Sequence, residues 1–193
     1  HLEILLKEAA GGASGPAVVP RLEELVGIAS HALEDVRQVS RLLRPPMLND
    51  LGLVPTLRWL ARTIQEQTGL LVALDVEGVA ERIDDADVET LVFRVVQEAL
   101  TNVVKHAAAR QAEVRLARNG SRVSFSVKDD GRGFEPERLL DGTDEPTGLG
   151  LRGMRDRVSL FGGNLEVRSA PGHGTVIAVE VPCGVTGAAE GAE

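Results

Sequence analysis

Three polar, glycine-bearing segments interrupt a chain of alternating helix and strand patterns, and their order constrains the fold more than any other feature. The first, Glu98 to His106 (EALTNVVKH), lies on a helical stretch. The second, Asp129 to Phe134 (DDGRGF), ends a strand pattern. The third, Thr147 to Met154 (TGLGLRGM), leads into a helix. Each alone is commonplace. Loop glycines usually do no more than supply positive φ, and a carboxylate near an asparagine is ordinary on a solvated helix face. In this order they require a sheet whose strand ends meet a polar helix face and a helix start.

The chain divides near residue 46. From Leu22 the apolar positions run Leu22, Leu25, Ala29, Ala32, Val36, Val39 and Leu43. These alternating steps of three and four make an a/d seam for lengthwise helix packing. Upstream, Leu2 to Ala10 is a shorter helical piece, and the run from Gly11 to Pro16 (GGASGP) between them is a turn. Residues 1–46 therefore read as part of a helical hairpin, and two such hairpins form a four-helix bundle, hence a homodimer. An intramolecular cap would use the same seam, but seven consecutive seam positions exceed what a cap needs. Pro45 and Pro46 stop the helix.

Residues 47–183 alternate helices and strands. Val54 to Gln67 carries a helical stripe at Leu57, Leu60, Ala61 and Ile64, with Gly69 as terminator. Leu70 to Val76 reads as a strand, and Asp84 to Ala109 as one long helix facing a core through Val88, Leu91, Val92, Val95, Ala99 and Val103. Ala112 to Ala117, Arg122 to Asp129, Leu165 to Ser169 and Thr175 to Val181 follow as strands. A third helix is expected to begin near Arg152. Helices on one side of a mixed, mostly antiparallel sheet give an α+β fold, a two-layer α/β sandwich. The tail 184–193 has little to bury and is expected to be disordered.

Composition narrows the classes. A formal charge of −8 argues against nucleic-acid binding, which needs a basic stripe. The single cysteine, Cys183, rules out an internal disulfide and suits a reducing, cytoplasmic compartment. No apolar run long enough to span a membrane and no signal peptide is visible, so no direct membrane contact is expected of this piece. The start inside a helical pattern, without methionine, reads as a fragment of something longer.

The three segments carry complementary chemistry. Glu98 and Asn102 are one helical turn apart, with Lys105 and His106 one turn further, all opposite the apolar stripe. An asparagine oxygen beside phosphates is a hard ligand for Mg²⁺, and a carboxylate one turn away can take a proton from an incoming nucleophile. Asp129, at a strand end inside an apolar pocket, can accept the exocyclic amine of adenine and reject guanine. Gly131 and Gly133 clear side chains where backbone approaches the ligand, although D-D-G is also ordinary turn chemistry; Asp130 reads as merely exposed. Gly148 and Gly150 precede a helix whose free N–H groups suit phosphate oxygens. No G-K-[ST] follows, which excludes a Walker loop, and no strand immediately precedes, which excludes a Rossmann fingerprint. Phe134 to Pro146 is a surface loop able to close over bound nucleotide. Arg152, Arg155 and Arg157 are phosphate-contact candidates or plain surface charges.

The runs VFRVVQEALTNVVKHA, VKDDGRGF, GLGLRGMRDRV and GHGT resemble the ATP-binding domain of sensor histidine kinases of the nitrate/nitrite-sensor type. That domain has the Bergerat fold, shared with gyrase and heat-shock chaperone ATPases. The run VRQVSRLLRPPMLNDLGLVPTLRWL resembles the second helix of that subfamily's dimerisation and phosphoacceptor domain and its junction with the ATP domain. The likeness covers about residues 20 to 182. It implies ATP and Mg²⁺ as cofactors, Asn102 holding the metal, Glu98 assisting phosphoryl transfer and Asp129 reading adenine. It further implies that Gly131, Gly133, Gly148 and Gly150 shape the pocket, that Thr175 lies near the adenine end, and that Lys105 and His106 lie near the phosphates. The implied partner is a response-regulator receiver domain, and the resemblance leaves room for membrane anchoring of a longer protein.

One departure stands out. The family's acceptor histidine sits well up the first helix and is followed by an acidic residue. His1 is followed by Leu2 and lies close to the turn, and His31 and His173 match no acceptor position. The expectation is a piece that binds ATP without phosphorylating itself. A degenerate, binding-only sensor module and an anti-sigma-type serine kinase of the same fold stay open; the hairpin and the Pro-Pro junction speak against the second.

Overall fold

The computed structural model describes residues 46–80, 82–136 and 148–184. The helical hairpin and its seam, most of the loop 134–146 and the tail beyond Gly184 lie outside the described residues. Those that are described belong to one compact unit, Pro45–Glu193.

Pro46, expected only to stop a helix, begins one. It opens α1 (Pro46–Asp50), where a missing N–H is not needed and the fixed φ is already helical. Gly52, at φ 86, separates α1 from α2 (Leu53–Thr68). The latter buries Leu53, Val54, Leu57, Leu60 and Ala61 on one face. Gly69 ends it in the left-handed conformation, φ 76, donating its N–H to the Gln65 carbonyl. The chain then enters β1 (Leu71–Glu77).

Asp85 caps α3 (Ala86–Asn102), its carboxylate accepting from the N–H groups of Asp87 and Val88 at 3.0 Å each. Glu89, buried among apolar neighbours, accepts from the Ile83 N–H at 3.0 Å and so ties the incoming loop to the helix. The long helix read from Asp84 to Ala109 is not uniform. After Asn102 it widens into a π turn, Val103–Ala107, which ends where Ala108 adopts φ 50. Single π turns inside α-helices concentrate at functional sites.

The remaining elements are β2 (Gln111–Asn119), β3 (Arg122–Asp129), α4 (Gly148–Leu160), β4 (Asn164–Ser169) and β5 (Thr175–Pro182). The sheet order is β1-β2-β3-β5-β4, with β1 parallel to β2 and every other pair antiparallel. The expected mixed, mostly antiparallel sheet is therefore present. Its core face carries Val114 and Leu116, Val123, Phe125 and Val127, Ile177, Val179 and Val181, and Leu165, all buried. The opposite face shows Arg122, Ser124, Lys128, Glu166 and Glu180 to solvent. One dry face and one wet face follow from the period-two alternation of these strands.

α3 is the central helix of the second layer, packed on α2, α4 and β3. Val92, Val95, Val96 and Ala99 are almost fully buried there. Burying a side chain of this size is worth about 1.5–3 kcal/mol, so α3 is held by packing along its length. Its polar edge, Glu98 and Asn102, is thereby fixed relative to the strand ends.

Candidate functional site

The sheet sets one half of the site. In β3 every second residue from Val123 faces the core, and the row ends in Asp129. Its carboxylate is 6% exposed, and its Oδ1 accepts from the Gly131 N–H at 2.8 Å. Burial pushes the Asp129 carboxyl above its ordinary range, against the pull of the Gly131 and Thr175 N–H groups. A buried acid held this way keeps acceptor capacity that a ligand donor can use.

Asp130, one residue on, behaves oppositely. It is exposed, as expected, but not idle. Its Oδ1 accepts from Gln111 N–H at 3.0 Å and Arg110 N–H at 2.8 Å. Those two donors hold its carboxyl below the usual range. Adjacent carboxylates thus divide the work: Asp130 locks the start of β2 while Asp129 points inward.

Backbone closes the walls around Asp129. A Cβ on Gly131 would meet the Ala107 carbonyl oxygen at 2.5 Å and Asp129 Oδ1 at 2.8 Å. Gly133, at φ 60, would drive a Cβ into the Ala170 carbonyl, and Gly174, at φ 70, into the Asp129 carbonyl. The Arg132 N–H donates to the Ala107 carbonyl at 2.8 Å, and the Gly172 N–H to the Arg132 carbonyl at 2.6 Å. Thr175 opens β5 directly opposite Asp129. Asp129, Gly131, Gly133 and Thr175 therefore come together as the sequence reading expects.

The other half lies on α3. Glu98 and Asn102 are half-buried, and α4 rests its first turns on them. A Cβ on Gly150 would stand 2.9 Å from Glu98 Oε1 and 3.6 Å from Asn102 Nδ2. Here the structure corrects the sequence reading: the helix begins at Gly148, not near Arg152. Gly148 and Gly150 are its first turn rather than a loop before it, because glycine can enter a helix when packing demands close approach. The first turn of that helix, whose N–H groups have no intrahelical partner, starts beside Glu98 and Asn102.

Ala107 joins the two halves. It ends the π turn that starts just after Asn102, and its carbonyl grips the 131–132 backbone. Lys105 and His106 lie on that turn and are exposed. They follow Asn102 along the chain. Sequence reasoning missed Ser169, whose hydroxyl accepts from Phe134 N–H at 2.9 Å and lies 3.0 Å from both the Gly174 carbonyl and Thr175 Oγ1. The alternation Leu165, Val167, Ser169 could have placed it on the core row, beside Thr175. The π turn left no periodicity signal at all.

The family described as histidine kinase-, DNA gyrase B-, and HSP90-like ATPase matches residues 87–185, which hold every one of these groups. The chain belongs to this family. The curated relatives it matches are histidine kinases. It is 35% identical over 161 residues to the signal transduction histidine-protein kinase/phosphatase DegS of Brevibacillus brevis, covering 83% of this chain and 40% of that protein. It is 36% identical over 167 residues to the oxygen sensor histidine kinase NreB of Staphylococcus carnosus, covering 86% of this chain and 46% of that one. The chain thus spans less than half the length of either relative. Among solved structures, full-length ShkA in complex with AMPPNP is similar at 25% identity and a TM-score of 0.55, over 68% of this chain and 30% of that one. Among the described residues no helix is long and apolar enough to cross a membrane.

Proposed function

We propose that this chain is the catalytic ATP-binding part of a two-component sensor histidine kinase. The observation that carries the reading is the buried, up-shifted Asp129 at a strand end, walled by backbone that only glycine permits. Asp129 accepts the exocyclic amine of adenine. Guanine offers a carbonyl there and leaves the acid unpaired. Gly131, Gly133 and Thr175 shape this end.

The phosphates lie toward Glu98, Asn102 and the first turn of α4, where Gly148 and Gly150 leave backbone donors uncovered. Among the described residues, no three His, Cys, Asp or Glu side chains gather as a metal cage. A cation here relies on Asn102 and on phosphate oxygens, the habit of Mg²⁺. When bound, Mg²⁺ offsets charge on the transferring phosphoryl group. Glu98 takes the proton from, or orients, the attacking imidazole. Lys105 and His106, exposed on the π turn just after Asn102, lie near the phosphates.

The γ-phosphate goes to a histidine on the helical hairpin of a longer chain, and from there to an aspartate on a response-regulator receiver domain. The hairpin seam over Leu22–Leu43 makes the homodimer. Since no histidine here matches the acceptor position, this chain alone does not phosphorylate itself. Radiolabelled ATP tests this: the 193-residue chain should acquire no base-stable phosphohistidine, while the protein extended through its whole first helix should. Label on a histidine of the chain alone would overturn the acceptor assignment. An extended protein that binds ATP but takes no label would be a binding-only module.

A further inference from the structure

Three apolar rows of the sheet end in polar residues at the same edge. Val123, Phe125 and Val127 end in Asp129; Ile177, Val179 and Val181 start from Thr175; Leu165 and Val167 end in Ser169. The register puts these ends side by side, Asp129 opposite Thr175 and Thr175 opposite Ser169. Directly opposed residues share a face, so three polar side chains form a continuous line across β3, β5 and β4.

Ser169 is the far end of that line, and its hydrogen bonds have a direction. A hydroxyl has one proton and two lone pairs. The Ser169 proton goes to the Gly174 carbonyl at 3.0 Å, and one lone pair takes the Phe134 N–H at 2.9 Å. Thr175 Oγ1 also lies at 3.0 Å, a contact in which either hydroxyl can donate; with the Ser169 proton on the Gly174 carbonyl, Thr175 is the donor and fills the second lone pair. That leaves Thr175 with only acceptor capacity toward Asp129. The pocket edge therefore presents acceptors alone, a carboxylate and a polarised hydroxyl.

We propose that Ser169 is a positioning residue for base selectivity: by taking the Thr175 proton it makes the site an acceptor edge that prefers a purine with a 6-amine over one with a 6-carbonyl. The same hydroxyl ties the 131–134 loop, through Phe134, to the 170–174 turn. This rests on the reading of Asp129 as the base contact. Ser169→Ala releases the Thr175 hydroxyl, which can then turn its proton toward a carbonyl.

The test compares affinities for ADP and inosine diphosphate, which carries a carbonyl where adenine has its amine. Calorimetry of the full chain should show a strong preference for ADP, reduced by about tenfold in Ser169→Ala, the scale of one hydrogen bond. Ser169→Thr should restore it, and the nucleotide-free melting temperature controls for loss of fold. If Ser169→Ala loses affinity for both nucleotides equally, Ser169 is only structural and the proposal fails. If the unaltered chain does not distinguish the two nucleotides, the base-reading role of Asp129 fails first.

Discussion

The two ends of the site are built differently. At the base end, Asp129 is buried and the walls are backbone: the carbonyls of Ala107, Ala170 and Asp129 itself stand where glycine side chains would be. At the phosphate end, the nearest atoms to Gly150 are the tips of Glu98 and Asn102 side chains, both half-buried. Sheet register fixes the first end before any ligand arrives. The second end is a set of side-chain tips around a helix start, where in the proposed reading phosphate and a cation would complete the geometry. Selectivity should therefore tolerate little change at the base end, whereas the phosphate end should trade affinity without loss of fold.

The largest effect should come from Asp129→Asn, which should lower ATP affinity by a hundredfold or more, the scale of a charge-assisted hydrogen bond lost with the wrong polarity facing the amine. The fold should not suffer. Because burial raises the folded pKa, the Asp129 contribution to stability is present below the unfolded value of 3.8 and is lost as pH rises through the raised folded value. Without nucleotide, Asp129→Asn should therefore melt no lower than the parent at pH 7, and its relative gain should shrink as pH falls toward 4. A variant that melts well below the parent at neutral pH would contradict this.

Gly131→Ala comes next. Its Cβ meets rigid backbone at Ala107, so overpacking should cost about 1–3 kcal/mol of stability, seen in chemical denaturation, together with weaker ATP binding. Gly150→Ala sharpens the contrast from the opposite end. There the clash is with a side-chain tip, and alanine in place of glycine restricts the unfolded chain, a gain of about 0.4–1 kcal/mol. Thermal melting should rise or hold while Mg²⁺-dependent ATP affinity falls by about tenfold. Equal loss of stability in the two glycine variants would erase the distinction drawn between the ends.

Asn102→Ala should have the smallest footprint. ATP affinity without metal should be nearly unchanged, but the gain on adding Mg²⁺ should shrink by about tenfold, on the scale of one lost ligand contact. Titrations at several Mg²⁺ concentrations read this directly.

Much of this was legible from the residues. Period-two alternation ended the β3 row at Asp129, and helical spacing put Glu98 and Asn102 on one face, because both patterns are local. The wet and dry faces of the sheet followed from the same alternation. What local pattern could not carry was deviation from ideal geometry. The π turn after Asn102 changes the angular step within a single turn, which ideal helix spacing over Lys105 and His106 does not anticipate. The start of α4 was missed for a similar reason: two glycines resemble a loop until packing on Glu98 and Asn102 explains them. Asp130 holds Arg110 and Gln111, and Ser169 holds Phe134, across 19 to 35 residues of sequence, which no single window contains.

Calorimetric titration of this chain with ATP, with and without Mg²⁺ and with GTP as comparison, tests the central claim most directly. Saturable binding that is selective for adenine, strengthened by Mg²⁺ and lost in Asp129→Asn is the predicted result. Equal affinity for ATP and GTP, or affinity unaltered by Asp129→Asn, would contradict it.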